Sequence, residues 1–286
     1  MDEMRGKVCI VTGSSSGIGK EIALALANMS ATVVNVVRNR ERGEKALNVI
    51  INKTVSHAAD LMICDISSME SIKQFANEFR HKYDRLDVLI NNAGTFVGKR
   101  QITIDGFERT LAVNYLAPFL LTHELLPLLK SSVPSRVINL GSGLHGRGKI
   151  DFDDLQSEKE YGAAKTYAKS KLMLVMYTYE LAKRLESIGV TVNIVEPGFV
   201  ATNLGKNSGS RLLSLVFSMT RPFQISAKKG ADPIVYLASS DQVKDLTGKC
   251  FLKLREKTTA KISYDREMQK LLWDATFELL GLSQKN

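Results

Sequence analysis

The chain is short of cysteine. There are 3 in 286 residues, Cys9, Cys64 and Cys250, far apart and odd in number. They form no disulfide framework and no metal-ligand spacing, and they point to a reduced compartment. Cys9 and Cys64 read as small apolar filler on or beside strands. Long apolar runs are also missing. The most apolar segment, Leu116 to Leu129, is broken by His123 and Glu124, so no membrane-spanning helix is expected. No apolar stretch precedes the first strand, which argues against a signal peptide. With only 6 prolines, and no repeat, linker or low-complexity segment, the whole of 1–286 reads as one α/β domain, large enough to bury a substantial core.

The content is 44% hydrophobic and 24% charged, as in an ordinary globular protein. The net charge of +9 raises the question of nucleic acid, but the basic residues are scattered among acidic neighbours, and aromatics do not interleave with them. The densest run is Lys249, Lys253, Arg255, Lys257 and Lys261. It reads as a solvated face; a weak peripheral attraction to an anionic membrane surface is the alternative.

What is present centres on one stretch. The β-branched run Val8 to Thr12 leads into Gly13-Ser14-Ser15-Ser16-Gly17-Ile18-Gly19 and then into the amphipathic segment Lys20 to Met29. Glycines between a strand and a helix have a physical meaning. Gly13 allows a tight turn, Gly17 lets backbone approach a phosphate, and Gly19 lets the helix pack close to the strand. The helix start then offers free N–H groups and a positive dipole end to a pyrophosphate. Thr32 to Val37 reads as the second strand, with Arg38-Asn39-Arg40 at its tip. An acid there would bond the adenosine 2′-hydroxyl of NAD. Arg38, with Arg40 nearby, would pair instead with a 2′-phosphate, so NADP(H) is favoured over NAD(H). Alternatively, Arg38 merely ends a strand.

Further strands are expected near Ala58 to Cys64 and at Leu86 to Ile90, Arg136 to Leu140, Thr191 to Val195 and Gly248 to Leu252, making seven. Intervening helices are expected at Arg42 to Ile51, Met69 to His81 behind a Ser67-Ser68 cap, Gly106 to Lys130, Tyr161 to Leu185, Ala227 to Ser239 and Asp265 to Gly281. The expected fold is a single-domain Rossmann fold, a doubly wound parallel seven-stranded sheet with helices on both faces. Asn91-Asn92-Ala93-Gly94 follows the fourth strand, where small and amide residues suit a cofactor crossing the carboxyl edge. Asn114 sits mid-helix, which its propensity does not favour, and Pro118 should kink or unwind that helix. His123 reads as a satisfied or surface histidine. Ser142 emerges at the end of the fifth strand between two glycines. Two overlapping Tyr-x-x-x-Lys spacings follow, Tyr161/Lys165 and Tyr167/Lys171, each pair on one helix face. The pairs stand about 240° apart around a helix, so only one can enter a given site. Tyr167/Lys171 lies deeper in the helix.

Together the glycine turn, Asn-Asn-Ala-Gly and Tyr167-Ala168-Lys169-Ser170-Lys171-Leu172 resemble the short-chain dehydrogenase/reductase family, over about residues 5 to 282. The spacing from Ser142 to Tyr167, Leu155 to Glu158 and the closing Leu272 to Gly281 resemble its retinol-dehydrogenase-like branch. The resemblance selects Tyr167/Lys171 and implies Asn114, Ser142, Tyr167 and Lys171 as the catalytic set, with Asn114 holding a water in a proton relay. It implies a cofactor-binding set of Gly13, Ser15, Ser16, Gly17, Ile18, Gly19, Arg38, Asp65, Ile66, Asn92, Ala93, Gly94, Tyr167, Lys171, Pro197, Gly198, Val200 and Thr202. Asp65 would meet the adenine amino group, or else act as a turn residue. Residues 203–226, Gly/Ser-rich and then apolar, suit a substrate lid or simple core packing.

The reaction so implied interconverts an alcohol and an aldehyde or ketone on a lipophilic substrate. Tyr167 moves the proton, and the Lys171 ammonium together with the nicotinamide positive charge favours its phenolate. Two departures stand out. The branch often begins with a membrane anchor, which these residues lack, so a cytoplasmic alcohol or carbonyl is as well supported as a retinoid. Gly141 replaces a common serine beside Ser142. A homodimer is one assembly the resemblance admits. The rival reading is a catalytically idle cofactor sensor or scaffold, which would need none of the four catalytic residues.

Overall fold

In the first strand, β1 (Val8–Thr12), all five residues are buried. Val8 and Ile10 point into one core, Cys9 and Val11 into another. A strand buried on both faces needs this unbroken apolar run rather than alternation. The computed structural model describes residues 3–54, 58–198, 200 and 225–283. Beside β1 lie β2 (Thr32–Val37), β3 (Ala59–Ile63), β4 (Val88–Asn91), β5 (Ser135–Leu140), β6 (Val190–Glu196), β7 (Cys250–Leu252) and β8 (Arg255–Glu256). Their order is β3-β2-β1-β4-β5-β6-β7-β8.

Strands β1 to β7 pair in parallel, as the sequence leads one to expect. The addition is β8, a two-residue antiparallel edge strand joined to β7 by a tight turn at Lys253-Leu254. Lys253 takes a left-handed φ of 57° there. A strand this short carries no readable periodicity. The chain runs outward through β1, β2 and β3 and then returns to β4 on the other side of β1. That reversal opens a crevice at the carboxyl ends of β1 and β4, the place where such sheets bind ligands.

Helices α1 (Gly17–Asn28), α2 (Arg40–Lys53) and α6 (Ala227–Ser239) contribute to the core that includes Cys9 and Val11. Helices α3 (Met69–Lys82), α4 (Arg109–Ser131) and α5 (Ala163–Arg184) cover the opposite face. Ser68 caps α3, accepting from the Ser71 N–H. A last helix, α7 (Arg266–Leu279), leans on α5: Trp273 stacks near Tyr177, and the Arg184 guanidinium lies 4.1 Å from the Trp273 ring. His123 packs edge-on against Phe277, and burial lowers its pKa.

By length and composition, α4 is apolar enough to cross a membrane, yet 72% of the tested window is buried inside the fold. It begins three residues later than expected and contains a π-helical turn, Ala112–Leu116. The turn lies just ahead of Pro118, whose missing N–H and ring disturb the ladder. The π-turn displays Asn114. Likewise α5 starts at Ala163, not Tyr161, with Gly162 ahead of it in extended backbone.

Candidate active site

The crevice is shaped first by main chain. Thr12, the last residue of β1, uses one hydroxyl to tie two strands together. Its Oγ1 accepts from the N–H groups of Asn92 and Ala93, both at 3.0 Å, and donates to the Ile90 carbonyl. Asn92 returns the contact, its Nδ2 donating to the Thr12 carbonyl at 2.7 Å. Gly13 and Gly17 then turn with φ of 69° and 58°, a region that side chains resist. At Gly19 a Cβ would stand 2.5 Å from Asn92 Nδ2 and 2.6 Å from the Gly13 carbonyl oxygen. The glycine turn and Asn92-Ala93 are therefore one packed unit.

Next comes α1, which starts at Gly17. Ser16 makes no side-chain capping bond, and the first turn holds no acidic residue, so no side chain of this turn neutralises the helix's positive end. Ser14 Oγ is buried without a hydrogen-bond partner. A cleft of about 450 Å³ opens here. Gly13, Ser15, Ser16, Ala93 and Gly94 line it, together with Arg38, Arg42, Asp65 and Ile66. Uncapped N–H groups, a glycine cradle, an orphaned hydroxyl and guanidinium groups fit a dinucleotide with its phosphates on α1.

Beside Gly94 of this cleft stand the residues of the Tyr-x-x-x-Lys pair. Tyr167 and Lys171 lie one turn apart on α5, both buried. Lys171 Nζ donates to the Leu140 carbonyl at 2.7 Å and sits 5.8 Å from the centre of the Tyr167 ring. Ser142, just past β5, is the hydrogen-bonding side chain beside the Tyr167 hydroxyl. Gly94 reaches the same spot from the cleft: a Cβ on it would lie 3.4 Å from Asn114 Oδ1 and 3.9 Å from Lys171 Nζ. Asn114 works as a staple. Its Oδ1 accepts from the Thr95 N–H at 2.8 Å, and its Nδ2 donates to the Thr95 carbonyl and to Ser170 Oγ. Both amide hydrogens are thus spent on protein, so a water held by Asn114 would have to donate to one of its oxygens.

Burial governs the charges. It raises the Tyr167 phenol to about 12, against a smaller lowering by the Ser142 hydrogen bond. It lowers the Lys171 ammonium to about 8. The expectation joined the lysine to the nicotinamide charge in favouring the phenolate, and the protein alone carries only the lysine. Desolvation penalises both charged forms, and the phenol stays protonated at neutral pH.

The second tyrosine pair is separated by the fold. Tyr161 precedes the helix and donates to the Val97 carbonyl at 2.7 Å, while exposed Lys165 pairs with Glu160. Arg40 also departs from expectation. It lies along α2, near Glu44, and the cleft is lined by Arg42, one turn after the Asn39 cap that accepts its N–H. Asp65 serves a turn, its Oδ1 accepting from the Ser67 N–H and hydroxyl, while also lining the cleft. Pro197 and Gly198 follow β6, and Val200 forms an isolated bridge with Ile225 and packs on Gly230 of α6. Thr202 and residues 203–224 of the expected lid lie outside the described residues.

Gly141 has a physical reason. A Cβ there would come 2.9 Å from Ile194 Cγ1 on β6, so a serine would require Ile194 to shift. Cys64 borders the cleft as a thiol pushed up to about 12 by burial, in keeping with a filler role. Thr12 and Arg42 escaped the sequence reading, although a threonine ending the first strand and a residue one turn past an asparagine cap were both visible.

A strand–glycine–helix crevice with a buried Tyr-x-x-x-Lys pair beside a serine defines a class, and the short chain dehydrogenase family model matches residues 7–212. The chain belongs to that family of oxidoreductases, and within it to the retinol-dehydrogenase-like branch. It is 40% identical to human "Retinol dehydrogenase 13" over 97% of this chain and 85% of that protein. Against human "Retinol dehydrogenase 12" the identity is 39%, over 98% of this chain and 88% of that one. Among solved structures, an uncharacterized protein from Mycobacterium Paratuberculosis matches with a TM-score of 0.80 and 26% identity, covering 99% of this chain and 96% of that one. A Pseudomonas aeruginosa RhlG/NADP active-site complex matches with a TM-score of 0.70 and 26% identity, covering 88% of this chain and 96% of that one.

Proposed function

We propose that this protein is an NADP(H)-dependent oxidoreductase that interconverts a lipophilic alcohol with its aldehyde or ketone, Tyr167 moving the proton. The observation that carries this reading is the meeting of Ser142, Tyr167 and Lys171 next to Gly94 of a cleft that Arg38 and Arg42 also line. The uncapped start of α1, with Ser15, Ser16 and Ile18, would hold the pyrophosphate. Arg38 and Arg42 would hold a 2′-phosphate, Asp65 and Ile66 the adenine side, and Pro197, Gly198, Val200 and Thr202 the nicotinamide side. When bound, the nicotinamide supplies or accepts the hydride.

The protein's own share is orientation and the proton. Ser142 hydrogen-bonds the substrate oxygen and places it against the Tyr167 hydroxyl. Tyr167, held as a phenol, gives its proton to a carbonyl oxygen that gains negative charge; in oxidation the same oxygen takes the alcohol proton. Lys171, anchored on the Leu140 carbonyl, holds the ribose beside them. Asn114 braces Thr95 and Ser170 so that the cleft floor and α5 keep their spacing. The relatives' names, the retinol dehydrogenases, support a retinoid-like substrate for this chain. A cytoplasmic location is part of the same reading.

The test is consumption of NADPH and NADH with retinal, medium-chain aldehydes and steroid ketones. Turnover should favour NADPH, and Tyr167→Phe should lower kcat by about 10²- to 10⁴-fold. Arg38→Ala should weaken NADPH binding about 10- to 100-fold, about 1.4 to 2.8 kcal/mol, and leave NADH alone. Preference for NADH would overturn the role of Arg38. A Tyr167→Phe protein with full activity would overturn the mechanism.

A further inference from the structure

Directly behind Ser142 lies a buried charged cluster that this mechanism leaves unused. It joins three pieces of chain: the turn after β5, the last residue of β6, and the segment after β8. His145 and Glu196 are both 3% exposed. His145 Nε2 accepts the Ala260 N–H at 3.1 Å, which assigns the ring proton to Nδ1. Nδ1 lies 2.9 Å from the Ser142 carbonyl oxygen and 2.9 Å from Glu196 Oε1. The Nδ1 proton therefore faces two acceptors at the same distance, the Ser142 carbonyl oxygen and the Glu196 carboxylate. Lys257 Nζ closes the cluster, donating to Glu196 Oε2 at 2.6 Å. The His145 main-chain N–H also donates to the Ser142 carbonyl, at 3.0 Å. One histidine thus grips the main chain of Ser142 twice.

Such a cluster is costly to bury, and apolar side chains of similar volume would commonly serve stability as well. Burial by itself raises the pKa of the Glu196 carboxyl, but the contacts with His145 and Lys257 outweigh it and hold the group below the usual carboxylate range. Its place is also specific. Glu196 immediately precedes Pro197-Gly198, and Ser142 stands beside the Tyr167 hydroxyl.

We propose that His145 is a positioning residue for Ser142, held in register by Glu196 and Lys257, so that the serine hydroxyl stays fixed against Tyr167. The proposal rests on the reading that Ser142 meets the substrate oxygen.

Two substitutions separate the two halves of the imidazole. His145→Asn keeps a donor near the Nδ1 position and loses the Ala260 contact. His145→Gln keeps an acceptor near the Nε2 position and loses the donor to Ser142. With NADPH and either retinal or nonanal as probe, His145→Asn should hold kcat within about 3-fold. His145→Gln should lose about 10- to 100-fold in kcat, the effect of a misplaced reacting group, with KM for NADPH unchanged. A merely structural role would lower the two variants alike and in step with their melting temperatures, and that result would overturn the proposal. The near-isosteric Glu196→Gln should lose kcat in the same sense; wild-type kcat there would equally count against it. Tyr167→Phe runs alongside. If that variant stays active, the reading of the site has failed. If it is dead while His145→Gln turns over normally, only the positioning role has failed.

Discussion

At the β1–β4 end of the sheet the cleft is made of main chain and glycine. Thr12, Asn92 and Ala93 lock two strand ends together, and the turn above them has no room for a Cβ at Gly19. At the β5–β8 end the main chain of Ser142 is backed by side chains that carry charge or protons: His145 from its own turn meets its carbonyl, with Glu196 from β6 and Lys257 from beyond β8 behind the imidazole. The first construction suits a cofactor whose phosphates meet N–H groups, because two uncharged side chains, Thr12 and Asn92, fix the main chain there without adding charge. The second is built from single side chains, one of them that of Glu196, the last residue of β6.

Three measurements would break or sharpen this contrast. The largest effect is expected at Gly19. Gly19→Val must push apart the Gly13 carbonyl and the Asn92 amide, so NADPH binding, followed by protein fluorescence, should fall by at least about 100-fold. Near-normal affinity would mean that the turn is looser than its packing indicates.

A middle effect concerns Lys171, where the two ends meet. Burial brings its ammonium to about 8 from an ordinary value of 10.5. Between those values the unfolded chain keeps a proton that the folded chain has released, so stability rises with pH across that window. Below it both states are protonated and the full penalty applies, about 3 kcal/mol. The urea midpoint of wild type should therefore rise relative to that of Lys171→Met from about pH 8 to about pH 10. Parallel curves would refute the burial cost.

The smallest effect is expected at Gly141. Gly141→Ser restores a residue common in the family but drives a Cβ against Ile194, costing about 1 to 3 kcal/mol. In the double variant with Ile194→Ala the two losses should fall short of additivity by about 0.5 kcal/mol or more in a denaturation cycle. Strict additivity would remove Ile194 as the reason for the glycine.

Much of this molecule is legible along the chain. Seven parallel strands follow from β-branched runs, and the glycine turn from its spacing between strand and helix. The eighth strand is not legible, since two residues at an edge carry no pattern. Pro118 announces a disturbed helix, but only the folded α4 reveals a π-turn that aims Asn114 at Thr95 and Ser170. The charge near the second strand's tip is legible too, though Arg42 rather than Arg40 reaches the cleft, because the helix start rotates one toward it and the other away.

The sequence by itself determined what depends on local backbone: the parallel sheet, the phosphate turn and the face shared by Tyr167 and Lys171. Those properties come from dihedral freedom and helical period, which neighbours along the chain set. Tertiary structure alone decided which tyrosine is enclosed, why Gly141 is a glycine, how far burial moves Tyr167 and Lys171, and that His145 reaches Ser142, Glu196 and Ala260 at once. Each of these depends on desolvation or contact between residues far apart in the chain, and neither exists until the sheet has brought them together.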